Sequence, residues 1–218
     1  MGFKSGKILG GSSVLHAMAW QRGAKFDYDA WGSPFGNGDE WTFDGLLPYF
    51  QRAENWTAPP NAVTINSSLS SAYGRNGPLS LSYSSYYTDL DRSLTEASVN
   101  MGFPLNESPD MGNSNYLPRY GIAGSVNPNT GKRSYSASAY YNEDVRSREN
   151  LKLLTGAVVT RILWDETTLG TSEIRAKGVE YIAGGKTYVV HAMEEVILCA
   201  GNCSFPLFTS ANKLIVQN

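Results

Sequence analysis

The stretch that decides the fold is residues 6–31, which read GKILGGSSVLHAMAWQRGAKFDYDAW. It opens with a glycine-serine turn at residues 10–13, continues as an apolar run with one histidine, and closes on an acidic-aromatic cluster. Two successive glycines let backbone N–H groups approach a ligand, because no Cβ stands in the way. The serines can cap a following helix, and such a turn favours an anion or an electron-rich oxygen.

The glycine-serine turn alone has a simpler explanation, which is a tight turn before a capped helix. It is not a phosphate-binding loop of the Walker type. That motif places a lysine after its last glycine, whereas Lys7 precedes the glycine pair here. A specific prediction therefore requires the whole stretch.

The whole stretch resembles the first signature of the glucose-methanol-choline (GMC) oxidoreductases, which are flavin-dependent alcohol oxidases and dehydrogenases. That signature is approximately G-[KR]-x-LGGSSxxN-x-M-x-[YW]-x-RG, followed by D[YF]DxW. The chain matches it at Gly6, Lys7, Leu9, Gly10, Gly11, Ser12, Ser13, Met18, Trp20, Arg22, Gly23, Asp27, Tyr28, Asp29 and Trp31. It departs at His16, where most members have asparagine, and a histidine there resembles the aryl-alcohol oxidase branch.

The resemblance continues more loosely through almost the entire chain and implies a fold class. We expect a mixed α/β (α+β) structure, forming an incomplete part of an FAD-binding, Rossmann-like fold with an antiparallel β-meander and part of the substrate domain. The predicted segments are a flavin-contact segment of the FAD-binding domain at 1–54, substrate-domain-like loops and a helix at 55–133, an FAD-domain helix with the meander and a returning strand at 134–201, and a divergent tail at 202–218.

Family members are much longer, and upstream of this stretch they carry a GxGxxG turn that holds the FAD pyrophosphate. No GxGxxG occurs in this sequence. The chain is therefore expected to be an internal or N-terminal-half piece of an oxidoreductase, inactive alone. The alternative is a natural short protein that has lost its cofactor site.

Composition is compatible with a globular chain of one or two domains, since 41% of its 218 residues are hydrophobic and 17% are charged. A net charge of -2 does not favour nucleic acid, and no apolar run approaches the roughly 18 residues of a membrane span. The expected partner is a small-molecule alcohol, without nucleic acid or membrane. The oligomeric state stays open.

Cys199 and Cys203 have no metal-binding partners nearby, so no metal site is predicted. The sequence contains N-glycosylation sequons at Asn55, Asn66, Asn106 and Asn202. Because three of them fall in polar, loop-like sequence, an extracellular, secreted protein is expected, with any signal peptide upstream of this chain.

Periodicity and breaker residues predict the main elements. Helices are expected at 44–54, 89–102 and 134–142. Strands are expected at 77–82, 151–164, 173–183 (broken by Gly178) and 186–191, with a hairpin turn at Gly184-Gly185. The apolar run 195–201 is predicted to be a buried parallel strand.

Several side chains are assigned structural uses on residue type. Asp27 and Asp29 are interpreted as local hydrogen-bond partners, and His191 as structural. Trp41 and Phe43 are expected to brace a helix, while the tyrosines at 83, 86 and 87 either pack or line a channel.

The resemblance also assigns flavin contacts. The predicted cofactor-binding residues are Gly11, Ser12, His16, Ala17, Met18 and Ala19 beside the isoalloxazine, and Val159 at the adenine edge through its backbone. The alternative for His16 is a core histidine bonded to a backbone carbonyl. In this family the histidine base lies near the C-terminus, outside this sequence, so no catalytic residue is assigned.

Three function classes follow. The first is an FAD-dependent oxidoreductase acting on the CH-OH group of an alcohol by hydride transfer to flavin. The second is a non-catalytic remnant of that fold, and the third is a sugar-binding α/β module with aromatic loops.

The flavin of the full-length protein is expected to be dissociable. Some family members attach FAD covalently to a histidine one position before residue 16, where this chain has Leu15. Acid precipitation should therefore leave a colourless protein pellet and a yellow supernatant. A yellow pellet after denaturation would contradict this prediction.

Overall fold

The computed structural model describes residues 5–58, 73–84, 86, 88–102 and 123–201. Its contacts divide the chain into two compact units, Met1–Arg148 and Glu149–Asn218. Helices and strands are mixed, as predicted: α1 Lys25–Gly32, α2 Phe43–Ala53, α3 Asp89–Asn100, α4 Ser136–Tyr140 and α5 Glu143–Arg146, with β1 Ala19–Trp20, β2 Glu54–Trp56, β3 Leu79–Leu81, β4 Ala123–Gly124, β5 Val126–Asn127, β6 Lys132–Arg133, β7 Ala157–Trp164, β8 Ala176–Ala183 and β9 Lys186–His191. The predicted functional division into four segments is a different partition and stays a prediction.

The described part of the first unit contains three small sheets. Strands β1 and β4 are antiparallel, β2 and β3 are parallel, and β5 and β6 form a hairpin. The predicted strand at 77–82 is confirmed as β3, with Leu79 and Leu81 buried on one side and Ser80 half-buried on the other. That alternation is the period-two pattern from which it was predicted.

Helix α2 begins at Phe43, one residue before its predicted start. The hydroxyl of Thr42 caps it by accepting the Gly45 N–H at 3.2 Å. The Asp29 carboxylate of α1 accepts the Phe43 N–H at 3.1 Å, so Asp29 is a local hydrogen-bond partner, as predicted. Phe43 is buried and braces the helix, whereas Trp41 is exposed. The helix has apolar residues at helical spacing, and they are half-buried: Leu46, Leu47, Phe50 and Ala53.

The buried core of the first unit is aromatic. It consists of Trp56, Tyr73, Leu79, Leu81, Tyr83, Ala123 and Ala139, with Trp20 packed against it. Tyr83 therefore packs, while Tyr86 is exposed and Tyr87 lies outside the described residues. The ring of Tyr83 meets those of Trp56 and Tyr73 edge-on, with centroids 5.8 and 6.4 Å away.

Helix α3 confirms the predicted helix, and Gly102 follows it with a φ of 83°, the conformation of a glycine C-cap. Apolar residues of this segment face solvent in the described structure. Leu90 and Met101 are exposed, Met101 by 75%. Apolar spacing predicted the helix correctly but not what lies against it.

A buried ion pair joins the segment after β1 to the start of β2. Arg22 Nη2 lies 2.7 Å from Glu54 Oε2, and the two side chains are 3% and 0% exposed. Arg22 Nε, the Trp20 indole N–H and the Gly74 N–H also donate to this carboxylate, at 3.3, 3.0 and 2.9 Å. Both carboxylate oxygens are therefore satisfied, which is the condition under which a buried charge is tolerated.

Aromatic rings complete the surroundings of the guanidinium. The Arg22 Cζ lies 5.8 Å from the Phe50 ring centroid and 5.6 Å from that of Tyr73. Burial, followed by the proximity of Tyr83, raises the pKa of the Tyr73 hydroxyl far above its ordinary value. Tyr73 therefore stays neutral beside the pair.

The second unit contains the predicted antiparallel meander, in the order β7-β8-β9. Gly184 and Gly185 form its two-residue turn with φ values of 56° and 75°. Strand β8 is continuous over Ala176–Ala183, so the predicted break at Gly178 is not observed. Its pairing with β7 does shift register there, because Leu163 pairs with Gly178 and Trp164 with Ala176. A Cβ there would lie 2.2 Å from the Val190 carbonyl oxygen, so the glycine permits close approach of β9 within a continuous strand.

The prediction of a buried parallel strand at 195–201 is wrong for this structure. The segment has no regular secondary structure, and Ile197 is 73% exposed. A continuous apolar strand is stable when strands flank it on both sides, and among the described residues no strand pairs with this segment.

Other predictions fall partly outside the described residues. These are most of the loop at 104–133, the tail 202–218, Cys203 and the sequons at Asn66, Asn106 and Asn202. The remaining sequon residue, Asn55, lies within β2 and is half-buried, so it is not in a loop. None of the helices in the described ranges is long and apolar enough to cross a membrane.

Replacing Glu54 by Gln should destabilise the first unit by roughly 3–5 kcal/mol, because it leaves the buried Arg22 charge without a counter-ion. Glu173→Gln is the matched control, since Glu173 is 81% exposed and 3.9 Å from Arg175. The control should change the unfolding free energy by less than about 0.5 kcal/mol. Urea unfolding followed by tryptophan fluorescence measures both, and equal effects would contradict the assigned importance of the buried pair.

Candidate functional site

The glycine turn has the backbone that its sequence requires. Gly10 and Gly11 adopt left-handed φ values of 96° and 55°, and a 3₁₀ helix follows at Gly11–Val14. A Cβ on Gly10 would lie 2.8 Å from the Tyr135 ring, whereas a Cβ on Gly11 would have no atom within 4 Å. The turn is thus packed at Gly10 and open at Gly11.

Ser12 supplies a backbone donor at the open side of this turn. Its hydroxyl accepts the Gly6 N–H at 3.2 Å, and its carbonyl accepts the N–H groups of Leu15 and His16 at 3.0 and 3.2 Å. Within the described ranges no acceptor is hydrogen-bonded to the N–H of Ser12. One N–H group at an exposed glycine turn is therefore available to an electron-rich atom.

Serine hydroxyls tie the turn to the start of α4. Ser13 Oγ and Ser136 Oγ both donate to the Gly10 carbonyl, the latter at 3.0 Å. The N–H of Ser136 donates in turn to Ser13 Oγ at 3.2 Å. Ser13 is accordingly used to hold the turn, although its sequence position alone would equally suit a ligand contact.

His16 and Met18 form the next part of the site. The N–H of Met18 donates to His16 Nδ1 at 2.8 Å, and the Met18 carbonyl accepts the Ser125 N–H at 2.8 Å. Met18 has a φ of 67°, the one positive value outside glycine in the part of the chain described. Arg133 Nη1 donates to the His16 carbonyl at 2.6 Å.

His16 is exposed and its Nδ1 accepts a hydrogen bond, so the alternative of a core histidine bonded to a carbonyl does not hold. Ala17 is exposed, and Ala19 begins β1, where it pairs with Gly124. The predicted contacts from Gly11 to Ala19 thus lie on one continuous turn. Their contact with flavin stays a prediction.

Val159 lies apart from that turn in sequence and belongs to the second unit. It is on β7, opposite Tyr181 of β8 and beside a register shift that ends at Arg161. Strand β7 is at the edge of the described sheet, so alternate main-chain groups point away from β8. The contact assigned to the backbone of Val159 stays a prediction.

Sequence reasoning missed the residues that hold the turn. They are Ser125, Arg133, Tyr135 and Ser136, more than 100 residues after it. Arg133 directly precedes the helix predicted at 134–142 and Ser136 lies within it, but these positions indicated no role for either side chain. Helix and strand periodicity cannot predict which side chains contact a turn that is distant in sequence.

Comparison with known proteins gives consistent likenesses. The family model described as GMC oxidoreductase matches residues 1–210. A dehydrogenase of Armillaria gallica is 46% identical over 209 residues, which are 94% of this chain and 32% of the relative. The chain thus spans about a third of the length of that relative.

Two solved structures have a similar fold, and the chain again matches about a third of the length of each. An FAD-dependent oxidoreductase from Chaetomium thermophilum superposes with a TM-score of 0.73 at 29% identity, covering 88% of this chain and 32% of that one. A fungal aryl-alcohol oxidase gives a TM-score of 0.69 at 28% identity, over 86% and 31%.

Met18→Val should destabilise the first unit by about 2 kcal/mol, because a β-branched side chain is strongly disfavoured at positive φ. Met18→Gly should lie within about 1 kcal/mol of the parent, since relief of strain offsets the greater flexibility of unfolded glycine. Urea unfolding measures both.

Met193→Val is the control, because it makes the same exchange of side chains at a position that is 97% exposed. It should change the free energy of unfolding by less than about 0.5 kcal/mol. If valine at position 18 is as well tolerated as valine at position 193, the left-handed backbone of Met18 is not a constraint.

Proposed function

The chain belongs to the GMC oxidoreductase family, and from this premise we propose that it provides the flavin-contacting part of an enzyme that oxidises an alcohol. The predicted resemblance, the fold class and the cofactor, FAD, are confirmed by the family match and by the FAD-dependent oxidoreductase of similar fold. The match across residues 1–210 is the observation that carries the proposal.

The turn at Gly11 and Ser12 fits the cofactor chemically. An isoalloxazine is flat and has electron-rich nitrogen and oxygen atoms at its edge. The unfilled space beside Gly11 and the N–H of Ser12, which has no acceptor among the described residues, suit close approach of such an edge. When bound, FAD supplies the acceptor for the hydride that leaves the alcohol carbon.

The residues that follow act by binding and orienting. Hydrogen bonds at both ends of Met18 fix the backbone of the turn, and the flanking Ala17 and Ala19 are small enough to leave a ring room. Val159 would contribute main-chain groups from the edge of β7. We assign no proton transfer to a side chain of this chain, and its part in the reaction is to hold the flavin.

Secretion is a further part of the proposal. It rests on the sequons at Asn66, Asn106 and Asn202, since Asn55 lies in a strand. A mass decrease after endoglycosidase treatment of the protein expressed in its natural host would support secretion through the glycosylating pathway. An unchanged mass would argue against it.

Gly11→Ala in the full-length protein should weaken FAD binding about tenfold, because the new Cβ enters the space assigned to the flavin. Gly36→Ala is a matched control. Gly36 also has a left-handed φ, 72°, and equally open space around a Cβ. Both variants should lose about 1 kcal/mol of stability from backbone strain, but the control should bind FAD normally.

Titration of flavin fluorescence gives both dissociation constants, and reduction of a dye by aryl and aliphatic alcohols gives the activity. Failure of the full-length protein to bind FAD or to oxidise any alcohol would favour the non-catalytic remnant. Equal FAD affinity of the two alanine variants would contradict the assignment of Gly11. The 218-residue chain alone is expected to bind FAD weakly and to oxidise no alcohol.

A further inference from the structure

We infer that His16 is a positioning residue, whose neutral imidazole holds the left-handed backbone of Met18 in the way an asparagine side chain would. The inference rests on the proposed function for the identity of the ligand at this turn. Its other grounds are the hydrogen bonds around Met18, which do not depend on any ligand.

The contact from His16 to Met18 has the geometry of an asparagine turn. In such a turn the side-chain oxygen of residue i accepts the N–H of residue i+2. His16 Nδ1 accepts the N–H of Met18 at 2.8 Å, which is the same spacing along the chain. Nδ1 of histidine and Oδ1 of asparagine are both bonded to Cγ, so each can reach that N–H. Although His16 stands where most family members have asparagine, the position thus keeps a hydrogen-bond acceptor for the N–H of Met18.

Met18 needs this support because its conformation is unfavourable. A left-handed backbone at a residue with a Cβ costs energy, and here the φ is 67°. Two hydrogen bonds oppose that cost, one from the Met18 N–H to His16 and one from the Ser125 N–H to the Met18 carbonyl. The first of them depends on the ionisation state of a side chain.

The hydrogen bond also fixes the tautomer of His16. Because Nδ1 accepts, the single proton of the neutral ring is on Nε2. The ring is exposed, and no described residue is hydrogen-bonded to Nε2. His16 consequently presents an N–H donor to any ligand at this turn, while its other nitrogen is engaged in shaping the turn.

Protonation would remove the acceptor. An imidazolium carries a proton on both nitrogens and cannot accept the Met18 N–H. Arg133 contacts the carbonyl of the same residue, so a second positive charge would enter beside a guanidinium. The surrounding helix Gly11–Val14 and strands β1, β4 and β5 carry no acidic or basic side chain, and β6 carries the cations Lys132 and Arg133. The titratable groups within and directly beside α4 are Tyr135, Tyr140 and Tyr141. None of these elements supplies a carboxylate to hold the imidazolium in place.

The tautomer can be tested directly in this chain, which has two histidines. With His191→Gln as background, ¹⁵N-histidine labelling leaves the resonances of His16 alone. At pH 8 we expect Nδ1 to show the shift of an unprotonated ring nitrogen and Nε2 that of a protonated one. A proton on Nδ1 at pH 8 would overturn the inference.

Positioning is tested by exchange of the Met18 amide proton with water, divided by the exchange rate expected for an unstructured peptide. At pH 7.5 the parent and His16→Asn should be equally protected, and His16→Ala about fivefold less. Equal protection of the Met18 amide in the parent and in His16→Ala at pH 7.5, or a loss of protection in His16→Asn as large as that in His16→Ala, would overturn the inference.

FAD dissociation constants of the same three full-length proteins at pH 7.5 separate this inference from the proposed function. If affinity follows the Met18 protection pattern, both are supported. If protection changes as expected but FAD affinity does not, the role of His16 in shaping the turn is supported and the flavin assignment of the turn is overturned.

Discussion

The buried ion pair of Arg22 and Glu54 is the interaction on which the first unit depends. Arg22 follows the strand that leads out of the glycine turn, and Glu54 begins the strand that borders the aromatic core. Since neither side chain is in contact with water, each is acceptable only while the other is present. The donors from Trp20 and Gly74 then fix how the carboxylate lies, and with it the position of β1 relative to the core. The ion pair therefore fixes the position of the turn relative to the core, in addition to the packing of side chains.

Local sequence was sufficient for the elements whose physics is local. The apolar spacing predicted α2, the alternation of apolar and polar residues predicted β3, and the paired glycines predicted the turn between β8 and β9. It was insufficient where burial depends on a partner. The apolar side of α3 and the run at 195–201 have the composition of buried elements, yet Met101 and Ile197 are exposed in the described structure. Likewise, Gly178 suggested a break because a close approach by Val190 cannot be predicted from one strand.

The candidate site shows the same division. Gly11 to Ala19 could be predicted together because they are consecutive and resemble one signature. Their supports could not, because Ser125, Arg133 and Ser136 reach them by long-range contacts across the fold. The use of His16 also needed coordinates. Residue type indicated a possible donor, and only the short distance to the Met18 N–H identified Nδ1 as an acceptor.

The hydrogen bond from Ser136 to the Gly10 carbonyl spans 126 positions of sequence, and this sets an order of events during synthesis. At about 5–20 residues per second, residue 136 is made roughly 6–25 seconds after residue 10. Until then the glycine turn lacks the anchor that closes it, and closing so long a loop carries an entropic cost that local helices do not bear. The glycine turn consequently reaches its final form only after a segment made well over 100 residues later.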